Sequence, residues 1–242
     1  MLRTSTVERI DAHWSAHLGC RLTDLEAAHV TVVSLGGRLA GYRGVYALHA
    51  IGGRLVISTP AEHAAAFGSA LSHETPDAAF DARRIANILG TKAAAVVGPA
   101  SLAYVDEASF RPAARTDGVR ALSDGDHERF EQLRAACNPV EWEHGDIDPA
   151  RNPVYGVLAD NALIAAASWE ARGDVCNVGV VTHPAHRGRG HGAAAANAVT
   201  ARLLDQGELP QWQTLIDNAP SLRIGQALGY VERYRSIAVR LA

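Results

Sequence analysis

One stretch of this sequence is built for holding an anion. An apolar run ends at His183-Pro184, passes through Ala185 and His186 into Arg187, Gly188, Arg189, Gly190, His191 and Gly192, and meets an alanine-rich segment directly afterwards. If that segment is a helix, its first N–H groups lack helical partners and sit at the positive end of the helix dipole, a setting that suits a diphosphate. Gly188, Gly190 and Gly192 keep side chains away from approaching phosphate oxygens. Arg187 and Arg189 add positive charge. Ala193 to Ala196 keep the first turns slim, so a bulky ligand can lie across them. His183, His186 and His191 straddle the strand end, the loop and the helix start, which suits flanking phosphates better than ligating a metal.

Gly188, Gly190 and Ala193 also satisfy a dinucleotide fingerprint. That fold needs further strand–helix units and an acidic residue ending the next strand. Only about fifty residues follow, and nearby Asp205 ends a helix pattern, so the fingerprint lacks its context. A second polar cluster, Glu141-Trp142-Glu143-His144-Gly145-Asp146, offers titratable groups beside an aromatic wall. His13 and His17 stand one helical turn apart but have no third ligand in view, so they read as a surface or interface pair.

The elements that must carry these residues follow from periodicity. Val7, Ile10, Trp14 and Leu18 predict an amphipathic helix ending near Gly19. Strands are expected at His29–Ser34, Gly44–His49 and Arg54–Ser58, helices at Ala61–Leu71 and Asp77–Leu89, and a short strand at Ala93–Val97. Arg111-Pro112-Ala113-Ala114 reads as a boundary, giving a mixed α/β domain over 1–115 with no catalytic signature and a second domain over 116–242. The second domain reads as strand Gly118–Leu122, helix Asp126–Ala136, an irregular stretch Asn138–Asn152, strands Val154–Ala159, Leu163–Glu170 and Val175–Thr182, then helix Gly190–Leu204. Strand Gln211–Ile216, helix Pro220–Leu228 and strand Tyr230–Leu241 close it. Interleaved helices and strands place both halves in the α/β class.

Composition narrows the partners. Hydrophobic residues make up 48% and charged residues 20%, as in ordinary globular proteins. A net charge of −3 favours neither nucleic acid nor an anionic membrane. Cys20, Cys137 and Cys176 are too few and too scattered for a disulfide framework or a zinc site. The opening residues lack a secretory h-region and no apolar run reaches membrane-spanning length, so a cytoplasmic protein is expected. Lys92 is the single lysine among many arginines, alanines and glycines, a bias typical of a GC-rich bacterial genome.

Taken with its surroundings, the loop resembles the GNAT superfamily of acetyltransferases. Arg187 to Gly192 fits that family's (Gln/Arg)-x-x-Gly-x-(Gly/Ala) signature, which holds the pyrophosphate of coenzyme A. Thr182 to His186 is similar to its hydrophobic-x-Pro-x-aromatic approach. Downstream, Asn218 to Ser221 and Ala227-Leu228-Gly229-Tyr230 resemble its Asn-x-x-Ala and Leu-Gly-Phe marks, and the likeness spans the second half in the right element order. It implies a GNAT acyltransferase fold, a mixed, splayed sheet flanked by helices, with acetyl-CoA as co-substrate and no metal. The implied coenzyme contacts are Val180, Val181 and Thr182 on the strand, Arg187, Gly188, Arg189, Gly190, His191, Gly192 and Ala193 around the loop, and Asn218 and Ser221 on the far side. The implied reaction is direct attack of a small-molecule amine on the thioester, with an N–H near Val180 as oxyanion donor. An amine of pKa near 10.4 is about one part in a thousand neutral at pH 7.4, a handicap of roughly 4 kcal/mol, so a base matters. The family's usual glutamate position falls at Cys176 and its usual tyrosine at Gly225. Substitutes are therefore assigned: Glu143 as base, with His144 and Glu170 as alternatives, and Tyr234 as acid, with Ser221 as alternative. The Glu-Trp-Glu-His stretch itself resembles two-part bacterial GNAT proteins. The N-terminal half would then wall the acceptor site, mediate homodimerisation, or be a decayed second acyltransferase half. A non-catalytic acyl-CoA-binding module and a protein acetyltransferase are the competing functions.

Overall fold

The computed structural model describes residues 1–26 and 28–242. The chain divides into two compact units. One, the N-terminal unit, holds Thr4–Ala103, Gln213–Ala219 and Glu232–Ala242; the C-terminal unit holds Met1–Arg3, Tyr104–Trp212 and Pro220–Val231. Neither unit is a single run of chain, and Arg111 to Ala114 lie inside the C-terminal unit. There the Arg111 N–H donates to the Leu228 carbonyl at 3.1 Å and the Ala113 N–H to Asn197 Oδ1 at 2.8 Å.

The N-terminal unit begins with α1 (Thr4–Leu18) and α2 (Leu22–Glu26), followed by β1 (Val30–Ser34), β2 (Gly44–Ala50) and β3 (Leu55–Thr59). Then come α3 (Ala61–Leu71), α4 (Pro76–Ala79), α5 (Ala82–Leu89) and β4 (Ala93–Tyr104). β1 pairs parallel to β3, β3 antiparallel to β2, and β2 antiparallel to the chain's last strand, Val231–Leu241. Val45, Leu55, Ile57, Phe67, Ile85 and Ile237 are the heart of its core. Two expectations need correcting. The helix foreseen over Asp77–Leu89 breaks at Phe80–Asp81, because the Asp81 carboxylate caps a fresh helix by accepting from the Arg84 N–H at 2.7 Å. The short strand at Ala93–Val97 runs on to Tyr104, straight through Gly98-Pro99, which sequence reasoning treats as a breaker.

In the C-terminal unit β5 (Val119–Ala121), α6 (His127–Ala136) and α7 (Pro139–Gly145) precede β6 (Tyr155–Ala159), β7 (Ala162–Arg172) and β8 (Val175–Thr182). After them come α8 (His191–Asp205), the start of β9 (Pro210–Leu215) and α9 (Ala219–Ala227); β10, the strand Val231–Leu241, lies almost wholly in the N-terminal unit. β5, β6, β7 and β8 pair antiparallel in sequence order, and β9 joins β8 in parallel. α8 buries its alanine face, Ala194, Ala195 and Ala196, with Val199 and Leu203. The small side chains let its axis lie close to β7 and β8. α6 sinks Phe130 and Leu133 into a cluster with Val154, Leu163 and Val181. The stretch expected to be irregular holds α7, capped by Asn138, whose side chain accepts from the Val140 N–H at 2.9 Å, with Pro139 in the first turn. No helix among the described residues is long and apolar enough to cross a membrane.

Candidate functional site

Among the described residues β8 and β9 pair only at Cys176 with Pro210 and at Asn177 with Gln211. Beyond Asn177 the two strands are no longer in register, so β8 offers an unpaired edge on that side. Which of its groups face the gap follows from alternation. The His183 N–H donates to the Ile164 carbonyl at 2.9 Å, continuing the register in which Thr182 lies opposite Ala165. Residues 183, 181, 179 and 177 therefore bond to β7, while Thr182, Val180, Val178 and Cys176 turn their backbone groups the other way. Cys176 demonstrates the direction: its N–H donates to the Leu209 carbonyl at 2.9 Å. A linear amide ligand could pair with Val178 and Val180 as an added strand would.

The same edge leads into the loop. His183 steadies the turn, its Nδ1 accepting from the Ala185 N–H at 3.2 Å. Gly188 and Gly190 have φ of +74° and +85°, in the left-handed region that favours glycine, and a Cβ on either would meet nothing within 4 Å. Gly190 is the residue before α8, and the Ala194 N–H is the first to reach back, to the Gly190 carbonyl at 3.0 Å. The N–H groups of His191, Gly192 and Ala193 are those a helix leaves without helical partners. Gly192 differs from the other two. It is buried, and a Cβ there would lie 2.7 Å from Thr182 Oγ1 and 3.3 Å from Ile224 Cδ1. Thus two loop glycines serve conformation and openness, and the third serves close packing of α8 on β8. These features fit a diphosphate followed by an extended amide arm.

His191 is partly buried on α8. Burial, with His186, Arg115 and Arg189 nearby, holds its pKa below the ordinary histidine value. Its ring lies 6.2 Å from that of His186, which in turn is 5.3 Å from His183.

On the opposite face of β8 sits α7. Gly179 and Gly145 meet backbone to backbone: a Cβ on Gly179 would fall 1.8 Å from the Gly145 carbonyl oxygen, and one on Gly145 would fall 2.4 Å from Val181 Cγ1. Trp142 packs edge-on against Phe130, with the Arg134 guanidinium over its ring. Exposed Glu143 and His144 are therefore fixed just before the contact with Val180 and Val181. Asp146, with φ of +50°, ends α7 and is held by Arg151, which also pairs with Asp148 and Glu170. Glu170 is thus bound between Arg151 and Arg172. Its two carboxylate oxygens are each engaged by one of these guanidiniums.

Tyr234 belongs to the N-terminal unit, is 2% exposed and donates its hydroxyl to the Asp11 carboxylate. A phenol so buried and so engaged does not face a substrate arriving from solvent. Asn218, exposed just before α9, also falls in the N-terminal unit. The Ser221 hydroxyl accepts from Trp212 Nε1 at 3.1 Å, and a Cβ on Gly225 would lie 3.0 Å from Cδ1 of the same indole. Cys176 is 5% exposed, and burial with Glu208 nearby pushes its thiol up to about 11, so it cannot stand in for a carboxylate.

The contact that sequence reasoning missed joins the two faces. Arg187 donates Nη1 and Nη2 to the two carboxylate oxygens of Glu141 at 3.0 and 2.8 Å, and Nε to the Thr182 carbonyl at 3.2 Å. The guanidinium holds the Glu141 carboxyl below its ordinary pKa. With the partners 46 residues apart, no spacing pattern exposes the pair. The Gly145–Gly179 contact did leave a signal: a lone glycine inside the apolar strand β8 marks a close backbone approach.

Comparison with known proteins follows the same lines. No curated protein matches the chain. A GNAT-family protein from Novosphingobium aromaticivorans is 26% identical over 63% of this chain and 68% of its own, with a TM-score of 0.48. A GCN5-related N-acetyltransferase from Kribbella flavida is 22% identical over 64% of this chain and 62% of its own, with a TM-score of 0.47. An acetyltransferase from the GNAT family of Colwellia psychrerythraea is 12% identical over 75% and 72%, and its TM-score of 0.52 is a likeness of fold. Residues 154–237 match the GNAT acetyltransferase family, and the mixed, splayed α/β sheet with its flanking helices is that family's fold.

Proposed function

We propose that the protein is an acetyl-CoA-dependent N-acetyltransferase whose acceptor is a primary amine of a small molecule. The observation that carries this reading is the opening of β8 from β9 after Asn177, running directly into a loop whose Gly188 and Gly190 face open space before the α8 N-terminus. The N–H groups of His191 to Ala193 hold the diphosphate and the outward backbone of Val178 and Val180 holds the amide arm. Arg189 contributes charge. Acetyl-CoA supplies the acyl thioester. The Val180 N–H faces its carbonyl as a donor already in place, which needs no reorganisation. Fixing amine and thioester together draws on the roughly 7–11 kcal/mol available from proximity. Glu143, held near Val180 by the Gly145 contact, takes the ammonium proton; the thiolate, with a pKa near 8.5, leaves without a dedicated acid.

The test is acetyl-CoA with a panel of amines, read as free thiol. Turnover on at least one amine is expected, and Glu143→Gln should lower its rate by roughly tenfold to ten-thousandfold. Unchanged rates in that variant would remove Glu143 from the mechanism. A second reading, an acyl-CoA-binding module whose occupancy controls another protein, is favoured by one observation: buried Cys176 and Gly225 stand where the family's usual base and acid would be. Coenzyme binding with no turnover on any amine would select it.

A further inference from the structure

Arg187 is the first residue of the phosphate loop, yet all three nitrogens of its guanidinium already hold oxygen atoms, two of them on Glu141. A carboxylate and a phosphate offer this planar fork the same thing, a pair of anionic oxygens to grip side by side. Both side chains are about half exposed, at 46% and 49%, so water and salt weaken the pair. A ligand carrying two phosphate charges onto the same loop is the stronger claimant. Glu141 lies in the first turn of α7, whose other end is pinned at Gly145 on Gly179. We propose that Glu141 is a resident competitor for the coenzyme's diphosphate: it occupies Arg187 until coenzyme arrives, and its release then frees the first turn of α7, which pivots on Gly145. The inference rests on the coenzyme reading above. It makes Glu141 a positioning residue that couples coenzyme occupancy to the helix bearing Glu143.

Calorimetric titration of the full chain with coenzyme A separates this from a purely structural bridge. A bridge that merely braces the fold would weaken binding when cut. Competition predicts the opposite: Glu141→Gln should bind coenzyme A roughly twofold to fivefold more tightly than wild type, the range a half-exposed ion pair can supply. Arg187→Gln should bind more weakly, and the double variant should match Arg187→Gln alone, since the competitor has then lost its target. Hydrogen exchange at residues 139–142 should rise on adding coenzyme A to wild type and stay unchanged in Glu141→Gln. Thermal unfolding checks that the variants fold; Glu141→Ala serves as a second variant. Equal or weaker binding by folded Glu141→Gln and Glu141→Ala overturns the proposal. A wild-type chain that bound no coenzyme A would fail at the coenzyme reading itself, and this inference would go with it.

Discussion

The two faces of β8 and the loop beyond it use glycine for opposite purposes. At Gly179 and Gly145 the missing side chains let two backbones touch, and any Cβ would collide with main chain or a buried valine. At Gly188 and Gly190 a Cβ would collide with nothing, and the residue is needed for a left-handed backbone and for room a ligand can fill. The first arrangement is closed by the protein. The second is open to something else. Glycine content alone does not mark a binding site; the space in front of the glycine does. The contrast also separates the roles along the strand: one face seats α7, and the end of the strand leads into the open loop.

If that contrast is right, substitutions on the two sides must fail differently. Gly179→Ala should give the largest effect. A Cβ 1.8 Å from the Gly145 carbonyl cannot be absorbed by a rotamer change, so α7 must lift or β8 must bend. Overpacking of this kind costs about 1–3 kcal/mol, occasionally more. For a chain of this size each kcal/mol lowers the melting temperature by about 2–4 °C. Calorimetric melting and hydrogen exchange over residues 139–146 would both register it. An unchanged melting temperature together with unchanged exchange would mean that α7 is not seated by this contact.

Gly190→Ala should show the reverse pattern, a modest loss of stability with a larger loss of ligand. The left-handed conformation costs an alanine about 1–2 kcal/mol, and no clash is added. Coenzyme A affinity should fall by roughly tenfold to a hundredfold, the worth of one hydrogen bond to a charged group. Titration of the folded variant decides it. Wild-type affinity would show that the open space at Gly190 is not where the phosphates sit.

What could be read in advance divides along similar lines. β8 runs from Val175 to Thr182, as its apolar run and the His183-Pro184 stop foretell, and α3 covers Ala61–Leu71 as Pro60 and its alanines suggest. Both are decided by local pattern. The openness at Gly188 and Gly190 was legible for the same reason, whereas Gly192, read as having the same role, packs α8 on β8. α7 escaped because its seven residues are too short for a periodic signal, although Asn138-Pro139 announces a capped helix start. β4 escaped because Gly98-Pro99 normally ends a strand, and here lies within one. The side-chain chemistry was harder still. Arg187 finds Glu141 and Tyr234 finds Asp11 across 46 and 223 residues, and such partners emerge only once the strands are in register.

The smallest effect concerns protons rather than packing. His191 is held below the usual histidine pKa by burial first, and then by His186, Arg115 and Arg189, so it is neutral near pH 7.4. A diphosphate at the α8 N-terminus brings negative charge beside it and must raise that pKa. The bound form therefore holds more proton than the free form, and linkage requires coenzyme A to bind more tightly as the pH falls from about 7.4 towards 6. One fully linked proton would give tenfold per pH unit, and partial uptake gives about twofold to threefold. The coenzyme's own terminal phosphate titrates in the same range, so the comparison is with His191→Gln. Calorimetry at pH 6.5 in two buffers of different ionisation heat counts the protons directly. Wild type should take up a fraction of a proton more than His191→Gln does. Identical uptake by the two proteins would place the bound phosphates away from His191, on some other part of the loop.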